Sequence, residues 1–437
     1  MILGDLAILL FFASLALVLL ALIVLTLTAL NVSSSTTLLM LLTFLLSLAL
    51  MGVVVGLNLA GVSFIDSGIL VITIGLLFGA LSVVVLSLVW LERKVLGRIQ
   101  MRMGPMRVGP YGTLQSLADA IKLVTKEDIR PDWADARVFW VAPVLVFVPI
   151  FMIWLAIPFS PEWITRPSDL GLFYIVAFLV TSIVGLVMAG WGSANKYAVL
   201  GGLRAAGQLI SYEIPIIMVA AAVAILAQSL DLSKIVEAQN PVPFALLMPL
   251  GFFLFFVAGL AELGRTPFDI YEADSEVVGG PFVEYSGPHW SIFFLAEYVN
   301  TFGVSILIAI LFLGGWNWSL PLQGLVTSPW SDLIAMGEVI FKTYLVVIVI
   351  FWIRGTFPRL RIDQLMALGW KGLVPLSFAV VLLNAGYLFH QLPAWSLILS
   401  NIIILLAFFT YLFRQAHNNV HPPTIRLYSA RELRNAR

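Results

Sequence analysis

Apolar residues fall in blocks of about twenty along this chain, and polar residues gather between the blocks. The blocks lie at roughly 5–30, 37–61, 68–91, 138–159, 170–190, 208–228, 243–262, 291–314, 333–353, 372–390 and 394–413. Each is long enough to cross a bilayer as a helix, so the pattern predicts an all-α polytopic bundle of about 11 transmembrane spans. Short strands of alternating apolar and polar residues, the mark of a membrane barrel, are absent from the sequence. The first block opens on Asp5 with no basic residue before it and no small-residue cleavage site after it, which predicts a retained helix rather than a signal peptide.

Composition agrees: 61% of the 437 residues are hydrophobic and 11% charged. The net charge is zero, but Lys and Arg are unevenly placed. If residues 92–137 are cytoplasmic, 21 basic residues fall on that side and only Arg166 and Lys234 on the other, with Lys342 inside a span. This asymmetry predicts a multi-pass protein with its N-terminus outside and its C-terminus in the cytoplasm. The chain has no cysteine, and its four histidines lie near span ends or in the tail. The sequence therefore predicts no thiolate-held iron–sulfur cluster, no haem and no metal site in this chain. Electrons reach it only from another subunit or a diffusible carrier.

The informative polar residues lie in a few places. The loop LERKVLGRIQMRMGPMRVGPYGTLQSLADAIKLVTKEDIRPDWAD turns at Gly104, Pro105, Gly109 and Pro110. From Thr113 to Lys126 its residues Leu114, Leu117, Ala118, Ile121 and Val124 share a helical face, predicting an amphipathic interfacial helix on a docking surface. Topology anchoring and lipid contact are the alternative roles for its basic residues. The loop 263–290 carries Asp269, Glu272, Asp274, Glu276 and Glu284 against Arg265 alone. On a helix Asp269, Glu272 and Glu276 would share a face and titrate as a coupled group; a solvated acidic loop is the simpler alternative. Glu213, Glu262 and Glu297 lie in the cytoplasmic half of their spans, where an ionised carboxylate requires a wet interior or a proton. Pro215, beside Glu213, is expected to loosen the helix there. Glu338 and Lys342, one turn apart, predict a buried ion pair. The loop IRGTFPRLRIDQLMALGWK clusters Arg354, Arg359, Arg361 and Lys371, which suit acids of a partner or lipid head groups.

Four segments occur in the order of a known family: ERKVLGRIQMRMGPMRVGPYG with LADAIKLVTKED, then NKYAVLGGLRAAGQLISYEIP, then RTPFDIYEADSEVVGG with VEYSG and FFLAEY, then RGTFPRLRIDQLMALGWK. Over about residues 70–390, eight of the eleven spans, the chain resembles the quinone-site membrane subunit, the H subunit, of respiratory complex I. The resemblance divides the chain into an N-terminal extension at 1–67, a core at 68–390 and an extra helix with a basic tail at 391–437. It implies a non-redox component of a proton-translocating NADH:quinone oxidoreductase in a bacterial inner membrane. The bound substrate would be ubiquinone or menaquinone, with no flavin, haem or iron–sulfur cluster in this chain. Glu92, Arg93, Arg98, Arg102, Lys122 and Lys126 would border the quinone chamber and partner surface. Asp269, Glu272, Asp274 and Glu276 would form a coupling loop, and Glu213, Glu262 and Glu297 would begin a proton path. The implied partners are peripheral-arm subunits carrying the terminal iron–sulfur cluster, small and antiporter-like membrane subunits, and lipid, but no nucleic acid. Met103, Met106, Tyr271, Asp274 and Pro281–Phe282 depart from the family pattern; Asp274 keeps the charge, while Tyr271 and Pro281 predict an altered acid-loop conformation. Two rivals remain open: the same subunit in a complex I relative with another electron donor, and a stand-alone proton-coupled transporter.

Overall fold

The computed structural model describes residues 64–164, 168–317 and 330–418. The expected spans at 5–30 and 37–61, Arg166 and most of the basic tail lie outside these residues. Among the described residues eight helices are long and apolar enough to cross a membrane, and no β-sheet forms. The helical elements are α1 (Phe64–Ile99), α2 (Gln115–Val124), α3 (Ala136–Met152), α4 (Gly171–Gly192), α5 (Lys196–Ala227), α6 (Pro249–Glu262), α7 (Gly287–Leu311), α8 (Trp330–Thr356), α9 (Val374–Phe389) and α10 (Ala394–Asn418).

Several expected spans differ from the structure: the one at 68–91 runs on to Ile99, the one at 372–390 ends a helical run that begins at Ile362, and two others differ in kind. Helix α5 begins twelve residues before position 208, at Lys196, because Asn195 caps it: its Oδ1 accepts the Tyr197 amide at 2.9 Å. Its 32 residues extend about 48 Å, well beyond a hydrocarbon core of about 30 Å. A depth for Glu213 counted from position 208 therefore does not measure its distance from the helix end. Pro215 sits inside this helix without ending it. The block at 243–262 is not one helix. A single turn, Phe244–Leu247, is followed by a break at Met248 (φ −131°, ψ 68°), and α6 starts at Pro249, whose missing amide suits a first position.

Helix α7 is the centre of the bundle and is buried on nearly all sides, packed against α1, α3 and α8. Trp154, just after α3, stacks on Phe302 of α7 with ring centroids 5.3 Å apart. Helix α5 packs on α4, α6 and α9. A π-helical segment at Leu368–Leu373 leads into α9 and sets Gly369 against the Tyr212 ring, whose hydroxyl donates to the Leu365 carbonyl at 2.8 Å. The last helix, α10, lies against α6 and α9; Leu397 and Asn401 are buried there, and Phe409 meets Phe253 at 5.4 Å.

The amphipathic helix expected between Thr113 and Lys126 is α2. Leu114, Leu117, Ile121 and Val124 face outward, while Asp119 turns inward to pair with Arg93 of α1. The apolar stripe is thus free to meet lipid or a partner.

Candidate functional site: an acid-walled cavity

Helices α3, α4, α5 and α7 enclose a cavity of about 450 Å³. Its α3–α4 wall is mostly apolar, built from Val146, Ile150, Val176, Leu179, Ile183 and Leu186 with Ser182 among them. The facing wall carries four carboxylates: Glu213 of α5, Glu262 at the end of α6, Glu272 of the following loop and Glu297 of α7. Among the described residues no Lys or Arg lines it. Tyr285, Trp290, Phe293 and Phe294 close another side, and Asn300 lines the cavity with Glu262. The arrangement brings together four of the seven acids that the sequence singles out for proton coupling.

Backbone close to the cavity is held tightly where the acid loop crosses α5. A Cβ on Gly201 would lie 2.4 Å from Gly280 Cα, and one on Gly280 (φ +59°) would lie 1.8 Å from the Tyr271 carbonyl oxygen. Larger residues would push the loop away and open the cavity.

The acid loop does not form the single helix face expected for Asp269, Glu272 and Glu276. It holds only two short helical turns, Asp274–Val277 and a 3-10 turn at Gly280–Phe282, and the three acids diverge. Asp269 pairs with Arg359 at 3.0 Å, Glu276 with Arg204, and Glu272 turns towards the cavity. Glu284 accepts a hydrogen bond from Asn195 Nδ2 at 2.6 Å. The Asp274 backbone opens the helical turn, and its side chain lies outside the described part of the chain. The acid excess of the loop is thus answered by arginines from distant segments rather than by water alone. Burial pushes the Glu272 carboxyl well above the ordinary carboxylate range, and the charges of Glu297 and Asp269 add to the shift against Arg265 and Arg354. Tyr271 is likewise pushed up, by burial first and then by Glu272, Glu297 and Asp269.

Beside the cavity lies a buried chain of ion pairs. Arg265 is 2% exposed. Its Nε stands 3.0 Å from Glu297 Oε1 and its Nη1 3.3 Å from Glu92 Oε2, with the guanidinium 4.5 Å above the Tyr298 ring. Arg354, in the last turn of α8, also pairs with Glu92, and Tyr298 donates its hydroxyl to Glu92 Oε2 at 2.7 Å. Glu92 therefore holds two arginines and a tyrosine, and Arg265 links it to an acid of the cavity wall. Removing either partner would strand a buried charge. Tyr298 and Asn300 do not stand out in the sequence; each sits within a turn of Glu297, and their spacing from that acid on the helix is the available signal.

The remaining expected residues lie outside this core. Arg93 pairs with Asp119; burial alone would raise the Asp119 carboxyl, but bonds from Arg93 and Gln115 and the charges of Arg93 and Lys122 hold it below its usual value. Arg98 borders a shallow pocket with Trp90, Lys94 and Tyr111, and Arg102 donates to Gln100 at 2.7 Å. Lys122 and Lys126 are exposed on and after α2. None of these five touches the cavity.

The family model for NADH dehydrogenase matches residues 72–385. Among curated proteins the chain is similar to the NADH-quinone oxidoreductase H subunit of Dehalococcoides mccartyi strain CBDB1, 46% identical over 72% of this chain and 86% of that protein. It is similar to the H subunit of Bacillus mycoides, 46% identical over 71% of this chain and 91% of its counterpart, and to that of Brevibacillus brevis, 45% identical over 69% and 88%. The chain belongs to the NADH dehydrogenase family, H-subunit type. The matched region of this NADH dehydrogenase family member contains Glu92, the whole cavity wall and the Arg265 ion pairs. Helix α10 lies beyond it.

Proposed function

We propose that this multi-pass membrane protein forms the membrane part of a quinone chamber in NADH:quinone oxidoreductase and couples quinone reduction to proton translocation. One observation carries the reading: a cavity walled by Glu213, Glu262, Glu272 and Glu297 is joined through Arg265 to Glu92, the acid of the LERK segment expected to border the chamber. Reduction of a bound quinone adds negative charge until protons arrive. Near Glu92 that charge competes for Arg265 and Arg354, and Glu297 feels any displacement of Arg265. Each unit by which a carboxylate's proton affinity moves corresponds to about 1.4 kcal/mol, so a shift of several units changes which cavity acids hold protons. The mostly apolar wall of α3 and α4 limits sideways loss of those protons.

In this reading Arg93, Arg98, Arg102, Lys122 and Lys126, with the outward stripe of α2, meet peripheral subunits that supply the electrons and the quinone head-group site. Small and antiporter-like membrane subunits receive the proton signal. The basic-loop side is cytoplasmic, residues 68–390 form the working core, and the segments on either side are additions. A stand-alone transporter is less well supported: on the opposite side Lys342 Nζ is fully enclosed by Glu338 Oε1 at 2.5 Å and the carbonyls of Leu313 and Gly315 at 2.9 and 2.6 Å. Such a set of ligands ties α8 to the turn that follows α7 and suits a structural pair.

Purification from native membranes in mild detergent, with mass spectrometry of the co-purifying chains and an assay of NADH-driven quinone reduction, tests the proposal. Recovery with iron–sulfur and antiporter-like subunits and quinone reductase activity is expected. Recovery alone, with ion transport in liposomes, would overturn it, and activity with a donor other than NADH would identify the complex I relative.

A further inference from the structure

One face of α1 runs from the apolar part of the helix to the basic loop. Leu76, Ala80, Val83, Trp90, Lys94 and Arg98 fall on it at helical spacing. Leu76, Ala80 and Val83 are exposed, and a Cβ added to Gly79 beside them would meet nothing within 4 Å. At the loop end this stripe leads to an open pocket of about 390 Å³. Trp90, Lys94, Arg98, Tyr111, Thr113 and two apolar residues line it, with no carboxylate among them.

The cations of this pocket are positioned but not neutralised. Lys94 is half-buried: a Cβ added to Gly104 would stand 3.1 Å from its Cδ, and its Nζ lies 5.8 Å from the centre of the Trp90 ring. Among the described residues its hydrogen-bond acceptor is the Met106 sulfur at 2.9 Å, a weak one for an ammonium with three donors. The neighbouring acids are engaged elsewhere. Glu92 faces Arg265 and Arg354, and Asp119 pairs with Arg93. Trp90 Nε1 donates to the Tyr111 carbonyl at 3.3 Å, and Tyr111 takes a left-handed backbone (φ 53°) that few residues other than glycine adopt. That bond fastens the turning loop to α1, while the Tyr111 ring stays exposed. Trp and Tyr are the side chains that settle at the head-group level of a bilayer.

We propose that this pocket binds the phosphate of an anionic phospholipid, with an acyl chain lying along Leu76, Ala80 and Val83. Two cations one turn apart select an anion. The apolar stripe leading from them selects an anion with a long alkyl tail, which free phosphate and an acidic side chain both lack. With no carboxylate in the lining to meet a choline or ethanolamine, a net-negative head group fits better than a zwitterionic one. The bound lipid ties the loop before α2 to the membrane, and Arg98, in the last turn of α1, is where this seat borders the partner surface. The inference does not depend on the coupling role proposed above.

The purified complex in nanodiscs of phosphatidylcholine, with a minor fraction of phosphatidylglycerol carrying a photoreactive acyl chain, tests it; labelled peptides are read by mass spectrometry. Saturable labelling of peptides spanning 76–90 is expected, competed by unlabelled phosphatidylglycerol and not by added phosphatidylcholine. K94Q is expected to weaken this labelling about fivefold, and K94R, which keeps the charge, to preserve it. R98Q serves if K94Q fails to assemble. Equal labelling by a photoreactive phosphatidylcholine, or wild-type labelling in both K94Q and R98Q, overturns the proposal. Competition by inorganic phosphate at constant ionic strength would make this a site for a free anion and also overturns it. Wild-type labelling in K94Q together with loss of co-purifying subunits would give the cations to a partner's carboxylate instead. Labelling needs no quinone reductase activity, so its outcome stands apart from the functional reading.

Discussion

The two ends of the α7–α8 helix pair hold the same kinds of residue in opposite arrangements. At the basic-loop end Glu92, Arg265, Arg354 and Glu297 form a chain in which two acids share Arg265, and the last acid borders open space. At the other end Lys342 is wrapped by Glu338 and two carbonyl oxygens, away from the acid-walled cavity. A buried charge matched on all sides is a fastener. A buried charge that shares its partner with an acid beside a void can change state, because the void admits water and the shared cation can favour one acid over the other.

The contrast is sharpest in variants that break each end. Arg265→Ala and Lys342→Ala should each destabilise the purified complex by about 3–5 kcal/mol, the usual consequence of stranding one side of a buried ion pair, read as a fall in thermal unfolding temperature. They should then differ. Lys342→Gln, which restores a hydrogen-bond donor, is expected to leave pumped protons per electron unchanged; Arg265→Gln is expected to lower that ratio several-fold. Equal ratios in the two variants would erase the distinction between a fastener and a relay.

Smaller effects follow at the cavity wall. Glu213→Gln or Glu297→Gln should lower coupled quinone reductase activity several-fold while leaving subunit composition intact, and normal pumping in both would remove them from the path. Glu272 supplies a stability test. A carboxyl whose proton affinity is raised by folding contributes stability that is fully present below its unfolded value of about 4.5 and is lost as pH rises from there through the folded value. Thermal stability of the wild type should therefore decline over that window, and Glu272→Gln should decline less. The smallest change is expected for Asp119→Asn, which breaks a partly exposed pair with Arg93 and should shift stability by no more than about 1 kcal/mol.

Much of this was legible in the sequence, for reasons that can be named. The blocks at 138–159 and 170–190 correspond to helices at Ala136–Leu155 and Gly171–Gly192, because twenty apolar residues in a row leave a membrane helix as the simplest fold. The early start of α5 was hidden because Lys196 and Arg204 interrupt the apolar run, although Asn195 is a good cap. The break at Met248 was hidden inside an unbroken apolar stretch. Glu213, Glu262 and Glu297 could be picked out singly, since carboxylates in such surroundings are conspicuous. That they meet Glu272 in one cavity could not, because their separation along the chain says nothing of their separation in space. The divergence of Asp269 and Glu276 was equally invisible: their partners, Arg359 and Arg204, lie 90 and 72 residues away.

Helix α10 has a consequence for interchange of parts. It covers one flank of the short α6 and falls outside the region that matches the family. A neighbouring helix approaching α6 from that flank meets α10 first and is kept about 10 Å further out, one helix diameter. A protein shaped to press directly on α6 would find its seat already taken, so hybrids that combine this chain with neighbours from relatives lacking such a helix should assemble poorly along that border even where every catalytic residue is identical.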